Sequence, residues 1–139
     1  MEPKRIKGIV ILCLLAAILA GCNGCATDGK QTDFDLRAYQ AIGAATVAYD
    51  VSMRVCADLA DNGKITETQW NEAAAIGRKV KAGVILASAA MMEYRMGKDA
   101  GLDTKDAKGR VEHALLVLAR ESAVLAEQVR VLSGMEATK

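Results

Sequence analysis

An all-α fold with three long helices is the architecture that the sequence predicts, and three observations support it. The chain of 139 residues has a single proline, Pro3, so no proline interrupts a helix beyond that point. Alanine and the other strong helix formers are abundant, whereas aromatic residues make up only 4% of the chain. Apolar residues also recur at helical spacing in three segments, which two short glycine-containing breaks separate. The length suits one domain.

The first helix is expected from Asp33 to Ala60, after a cap at Thr32 with Asp35 as its partner. One face of this helix is marked by larger apolar residues and a glycine at spacings of three and four. These residues are Leu36, Tyr39, Gly43, Val47, Val51 and Val55. The spacing predicts that this face points into the core.

The break after the first helix has the clearest local signals of the chain. Asn62-Gly63 is typical of a left-handed helix end. Thr66 and Gln69 form a capping box for the next helix, and Ile65 with Trp70 is placed as a hydrophobic staple. A tight reversal is therefore predicted, with the first two helices as antiparallel neighbours.

The second helix is predicted from Glu67 to Met96 and the third from Thr104 to Leu132, with Gly97 and Gly134 as their stops. Asp103 or Thr104 is the expected cap of the third helix. The predicted core stripe of the second is Ala73, Gly77, Val80, Val84, Ala87, Met91 and Tyr94. That of the third is Val111, Leu115, Leu118, Ser122, Leu125, Val129 and Leu132.

Similar lengths of about 42 Å and short loops predict an up-down-up three-helix bundle over residues 33–134, with a short tail at 135–139. Two segments, 84–92 and 114–119, are apolar around more of the helix than one core stripe requires. They are expected to face a second subunit, a partner or the membrane surface, with self-association favoured. The alternative is that exposed alanines there have no role.

The N-terminal segment has the pattern of an export signal. Lys4, Arg5 and Lys7 precede an apolar stretch at 8–20 that is shorter than a membrane-spanning helix. Leu19-Ala20-Gly21-Cys22 follows directly. These four residues match the lipobox at every position, so the N-terminus resembles that of bacterial lipoproteins. The resemblance covers only the signal and its cleavage site.

The resemblance implies that residues 1–21 are removed by cleavage between Gly21 and Cys22. It further implies that the Cys22 thiol receives a diacylglycerol and that the new amine is acylated with a palmitate-type chain. Residues 22–32 would then be a flexible tether to the membrane. Asn23 is not the aspartate associated with inner-membrane retention, so the periplasmic face of the outer membrane is expected in a Gram-negative source.

Charge gives no reason to expect nucleic acid as a partner. The chain has 18 basic and 17 acidic residues, and three of the basic ones lie with Glu2 before Cys22. The remaining part therefore carries a net charge of −1.

Sites for metals and catalysis are poorly supported by the sequence. Residues 58–69 partly resemble an EF-hand calcium loop, but Ala60 and Gln69 stand where ligands are needed, and the capping box explains the same residues. His113 has no neighbouring ligands and is expected to be solvated. We therefore predict no catalytic residues, no cofactor and no metal.

The remaining cysteines of the mature chain are Cys25 and Cys56, since Cys13 lies in the signal. A disulfide between them would need a nearly straight return of the chain along the first helix. Cys56 is therefore expected to be a small buried apolar residue. Cys25 is expected to be free, paired with another molecule, or simply part of the tether.

The sequence favours a non-enzymatic structural or protein-interaction module of the cell envelope, held at the membrane by its lipid. Two alternatives stay open. One is a lipoprotein that binds a small apolar ligand, which the alanine-rich core argues against mildly because close packing leaves little cavity. The other is a phage-type envelope or lysis lipoprotein, by analogy of size and topology.

Overall fold

The computed structural model describes residues 32–134, and within that range the fold is an all-α three-helix bundle, as the sequence predicts. Helix α1 spans Thr32–Asp61, α2 spans Glu67–Asp99 and α3 spans Lys105–Leu132. Each helix packs against the other two. The predicted signal, all but the last residue of the tether, and the C-terminal tail lie outside the described residues. Thr32, which was expected to cap the first helix, is instead its first residue.

Contacts at both ends show that α1 and α2 are antiparallel. Near the start of α1, Asp35 forms a 2.9 Å ion pair with Lys98 at the end of α2. Farther along α1, Met53 lies against Gly77 in the first half of α2. Residue numbers that rise along α1 thus fall along α2. These two contacts also set the levels of the residues between them, so that Gly43 is approximately level with Ala89.

Helix α3 is antiparallel to α2 and parallel to α1, which completes the up-down-up order. Leu118 of α3 lies against Gly83 of α2. The Lys108 ammonium, near the start of α3, sits 4.8 Å from the centre of the Phe34 ring near the start of α1. The start of α1, the end of α2 and the start of α3 therefore share one end of the bundle, which we call the N-terminal end.

The reversal between α1 and α2 has the local chemistry that the sequence predicts. Gly63 adopts a φ of 64°, and Lys64 N–H donates to the Leu59 carbonyl at 2.9 Å, which is the Schellman closure of a helix. Thr66 and Gln69 then form the complete capping box of α2. Ile65 is buried.

The end of α2 differs from the prediction. Gly97 was expected to stop the helix, but α2 continues to Asp99 and the left-handed residue is Gly101, with a φ of 70°. Leu102 N–H donates to the Gly97 carbonyl at 2.9 Å, so a second Schellman motif closes this helix. Gly97 is an interior helical residue, at which an added Cβ would lie 3.2 Å from the Thr104 methyl carbon.

The core stripes predicted for α2 and α3 are confirmed in large part. Of the seven predicted residues of α2, all but Val84 are buried, and Val84 packs against the core. Of the seven predicted for α3, Leu115 and Leu132 are half-buried against the core and the others are buried. Ser122 is buried among apolar neighbours, and its hydroxyl has no hydrogen-bond partner within the described range.

The predicted core face of α1 is wrong in the first half of the helix, whereas Val51 and Val55 in the second half are half-buried and Val55 packs against the core. Leu36, Tyr39 and Val47 are 56%, 46% and 50% exposed, and Gly43 is also exposed. The residues that α1 buries are smaller on average: Ala38, Ile42, Ala45 and Cys56. The helix is thus apolar on two sides, and the side with the smaller residues faces α2 and α3. Small side chains let the helices approach closely, which favours this choice.

Candidate functional sites and exposed surfaces

Cys22 and Gly21, the residues of the predicted lipidation and cleavage site, lie outside the described residues, as does Cys25. The candidate residues that can be placed in the fold are therefore Cys56, His113, the 58–69 segment, the exposed apolar residues, and the acidic loop after α2 with Asp99, Asp103 and Asp106 in and around it.

Cys56 is a fully buried free cysteine in the second half of α1. Burial raises the pKa of its thiol, because the thiolate would lose its hydration. The neutral thiol is a poor nucleophile, so the surroundings of Cys56 suit packing rather than covalent chemistry. The prediction of a small buried apolar residue is confirmed.

His113 is exposed on α3 and does not pair with Cys56. Helices α1 and α3 run in the same direction, and Phe34 is level with Lys108. His113 is therefore level with the early turns of α1, about 25 Å along the bundle from Cys56 at about 1.5 Å per residue. A cysteine–histidine catalytic pair would need direct hydrogen-bond contact.

In the 58–69 segment, the polar groups serve helix termination and initiation. The Asn62 side-chain amide donates to the Asp58 carbonyl at 2.5 Å, and Gln69 Oε1 accepts from Thr66 N–H at 2.8 Å. Across residues 32–134, no group of three or more histidine, cysteine, aspartate or glutamate side chains is arranged to hold a metal ion.

The acidic loop between α2 and α3 shows a similar local role. Asp103 Oδ1 accepts from Lys105 N–H at 3.0 Å, and Asp106 lies in the first turn of α3. Thr104 occupies the N-cap position without a side-chain cap bond. Of the two residues expected to cap α3, Asp103 supplies the hydrogen bond.

A cluster of ion pairs and rings at the N-terminal end was missed by sequence reasoning. Phe34 and Tyr94 meet edge to face at 5.3 Å between ring centroids, and Lys98 Nζ donates to Asp35 at 2.9 Å. This hydrogen bond from the ammonium raises the pKa of Lys98. The partners lie about 60 residues apart in sequence, so helical periodicity contains no signal for them. The cluster fixes the start of α1 to the end of α2.

Arg95 of α2 and Tyr39 of α1 form a second contact between residues that are far apart in the sequence. The Arg95 guanidinium donates to the Tyr39 hydroxyl at 3.2 Å and lies 5.8 Å from the centre of its ring. The hydrogen bond raises the pKa of Arg95 above its usual value. Because Arg95 belongs to α2, this contact shows that Tyr39 lies on the side of α1 next to α2.

Two rows of apolar and small residues lie next to each other on this surface, which we call the α1–α2 face. On α1 they are Leu36, Tyr39, Gly43 and Val47; on α2 they are Ile85, Ala89, Met92 and Met96. All eight are exposed, and Ile85, Met92 and Met96 are 60%, 66% and 66% exposed. The steps of three and four place each row along one side of its helix.

Other large apolar residues are exposed on different sides of the bundle. Leu86, Leu116 and Leu102 are 63%, 69% and 67% exposed. Val117, Val124 and Val131 form a heptad-spaced row on α3 and are also exposed. The predicted apolar excess of 84–92 and 114–119 is thus confirmed as exposed surface. None of the three described helices is long and apolar enough to cross a membrane.

Comparison of the chain with protein-family models, curated proteins and solved structures found no match.

Proposed function

We propose that this chain is a lipid-anchored envelope protein whose helical bundle is a non-enzymatic structural or protein-interaction module. The observation that carries the proposal is Leu19-Ala20-Gly21-Cys22 directly after a basic start and an apolar stretch. Lipidation of Cys22 with two or more acyl chains would anchor the protein stably, because each buried CH₂ contributes about 0.8 kcal/mol.

The tether and the bundle have the properties that such a module needs. Between Cys22 and α1 lie nine residues, which can extend about 30 Å at most at about 3.3 Å per residue. The N-terminal end of the bundle is braced by the Asp35–Lys98 ion pair, and the bundle's exposed apolar residues offer contact surface. A partner held at this distance from the membrane would meet a rigid helical surface rather than a mobile loop.

The proposal is tested by comparing Cys22→Ala with Cys25→Ala in the full chain expressed in a bacterial host. We expect wild type and Cys25→Ala to incorporate a labelled fatty acid and to sediment with membranes. Cys22→Ala should lose the label and retain its full precursor mass, because the lipoprotein peptidase acts on the lipidated cysteine. Equal labelling and equal membrane association of Cys22→Ala would overturn the proposal.

Placement at the outer membrane is part of the proposal for a Gram-negative source. It rests on Asn23, which stands where an inner-membrane lipoprotein would have aspartate. Separation of the two membranes by density should place wild type with the outer membrane and shift Asn23→Asp to the inner membrane. Identical distributions of the two proteins would contradict this assignment.

The interaction role is distinguished from binding of a small apolar ligand by the packing of the core. An added Cβ at Gly77 would lie 2.7 Å from Met53 Sδ, and one at Gly83 would lie 3.2 Å from a Leu118 methyl carbon. Helices that are this close leave little interior space between them, which supports the interaction role. Native mass spectrometry of the purified protein should show the mass of the lipidated chain with no further small molecule; a retained ligand would favour the alternative.

A further inference from the structure

We propose that the α1–α2 face is a self-association surface, and that two copies pack there about a twofold axis parallel to the helices. The residues of the face are its two rows, Leu36, Tyr39, Gly43 and Val47 on α1 and Ile85, Ala89, Met92 and Met96 on α2. The direction of the axis rests on the anchoring proposed above. The choice of face does not.

Residues of the two rows lie at matching levels along the helices. Contacts of Asp35 with Lys98 and of Met53 with Gly77 bracket the face, and between them Gly43 is approximately level with Ala89. A twofold axis parallel to the helices leaves levels unchanged and places α1 opposite the partner's α2. Tyr39 would then meet a second copy of Met92, and Val47 a second copy of Ile85. Large residues meet at both ends of the face, and the smallest residues meet at its centre.

Gly43, at the centre of the α1–α2 face, indicates that another helix approaches closely there. Glycine inside a helix costs about 1 kcal/mol relative to alanine, and Gly43, unlike the equally open Gly109, lies at the centre of an exposed apolar row. An added Cβ at Gly43 would meet nothing within 4 Å in this chain, unlike one at Gly77 or Gly83. Packing within the bundle does not require this glycine. The close approach of another helix across the centre of the α1–α2 face would.

The area of the α1–α2 face is comparable with the area that each partner of a stable dimer buries. The apolar rows extend for about 17 Å and the helix pair is about 20 Å wide, so the apolar centre covers roughly 340 Å² in projection. Both helices continue beyond it with polar residues over a length of about 45 Å, so the complete face reaches roughly 900 Å² in projection. A stable dimer buries about 800 Å² per partner, with an apolar centre inside a polar rim. The area is sufficient for a second copy of this chain.

The charged residues that border the α1–α2 face also suit a second copy. Residues 38–49 and 82–92 contain no charged side chain, and Arg95, between Met92 and Met96, donates to the Tyr39 hydroxyl of the same face. At the other end of the rows, the first charges beyond Val47 and Ile85 are Asp50 and Lys81. Both are exposed, and neither pairs with another residue of the described range. They lie at nearly the same level, so the proposed axis brings Asp50 of each copy opposite Lys81 of the other. Arg54 and Arg78 lie about one turn farther out and at matching levels, so the same axis opposes like charges there, at the rim, where solvent and salt screen them.

The tether selects this axis over the other twofold arrangement of the same face. An axis across the helices would pair α1 with α1 and place the two N-terminal ends at opposite ends of the dimer. An axis parallel to the helices keeps both N-terminal ends together, so that two copies anchored through Cys22 reach the same membrane.

The test uses the full chain in membranes, with matched substitutions on adjacent residues of α2. Ile85→Glu places a carboxylate in the proposed interface, whereas Leu86→Glu changes an equally exposed residue that faces another side. We expect chemical cross-linking to give a dimer for wild type and Leu86→Glu, and more than about tenfold less dimer for Ile85→Glu. Equal helical content by circular dichroism would show that both variants fold.

The axis is tested by mixed disulfides in a Cys25→Ser background. Co-expressed Val47→Cys and Ile85→Cys chains should form a heterodimer on oxidation, whereas Val47→Cys with Leu36→Cys should not. The reverse pattern would overturn the parallel axis and leave the face as the interface. A monomeric wild type, or loss of the dimer in Leu86→Glu alone, would overturn the face itself. Lipid labelling of Cys22 is read separately in each sample, so failure of anchoring is distinguished from failure of pairing.

Discussion

Single residues in this bundle are constrained mainly by how closely the helices approach. Gly77 lies where the Met53 and Tyr49 side chains of α1 contact α2, whereas no atom lies within 4 Å of a Cβ added at Gly109 of α3. Both are helical glycines, and both carry the same cost in helix propensity. Their different surroundings make them a matched pair.

Gly77→Val should therefore destabilise the bundle while Gly109→Ala stabilises it. Valine at Gly77 must displace Met53 and Tyr49, and overpacking of this kind costs about 1–3 kcal/mol. Alanine at Gly109 removes glycine's conformational entropy and should add about 0.5–1 kcal/mol. Urea denaturation followed by circular dichroism measures both. Equal shifts in the same direction would show that the close approach at Gly77 is wrong.

Cys56 should make the fold sensitive to alkaline pH. Its pKa is raised in the folded state, so its contribution to stability is complete below the unfolded-state pKa of about 8.5 and is lost as pH rises through the folded-state value. Wild type should be more stable than Cys56→Ala at neutral pH, and the difference should shrink above about pH 8.5. Denaturation under reducing conditions at several pH values tests this. A difference that stays constant or grows would contradict the burial of the thiol.

At the scale of helices, the sequence predicts α2 and α3 well because the core stripe of each alternates steps of four and three over seven positions. The row predicted for α1 takes four successive steps of four after its first step of three and so drifts off one face of the helix. On α1 the buried residues include Ala38 and Ala45, whereas Leu36 and Val47 are exposed. Alanine carries little hydrophobic signal, and a second apolar surface misdirects any reading that weights residue size. The position of α1 depends on its neighbours, which periodicity does not contain.

The orientation of α1 is tested by truncating one residue on each side of it. Ile42→Ala should cost about 2–3 kcal/mol of unfolding free energy, because Ile42 is 8% exposed and packs in the core. Val47→Ala should change it by less than about 0.5 kcal/mol in dilute protein, where pairing of copies is minor. If Val47→Ala proved the more damaging change, the face first predicted from the sequence would be the buried one.

The helix ends show which local signals are sufficient. The capping box of Thr66 and Gln69 was predicted correctly because both partners lie within one turn. The stop of α2 was misplaced because two glycines, Gly97 and Gly101, compete for it. Thr104 of the following loop lies against Gly97, a contact that the local helix-end signals do not contain.

Thr66→Ala should lower the free energy of unfolding by about 1 kcal/mol, since Gln69 N–H loses its acceptor at the start of α2. Thr68→Ala is the control: this threonine is exposed in the first turn and makes no cap bond. Thermal denaturation of the two variants should separate them clearly. Identical midpoints would mean that the capping box contributes nothing to stability.

At the scale of the whole molecule, the bundle and the anchor are complementary parts of one proposal. The N-terminal end gathers the start of α1, the end of α2 and the start of α3, and the Asp35–Lys98 and Phe34–Tyr94 contacts hold it together. In the proposed anchoring, a tether that joins this end would hold the whole bundle near the membrane. The fold class followed from sequence patterns, whereas the long-range cluster at this end did not, because its members are far apart in the chain.

Mass spectrometry of the purified chain can show whether Cys22 is the lipidated first residue of the mature protein, as proposed. We expect an N-terminal peptide that begins at Cys22 and carries a diacylglycerol on its sulfur, usually with a further acyl chain on its amine. A mature N-terminus at any other residue, or an unmodified Cys22 thiol, would contradict the proposal.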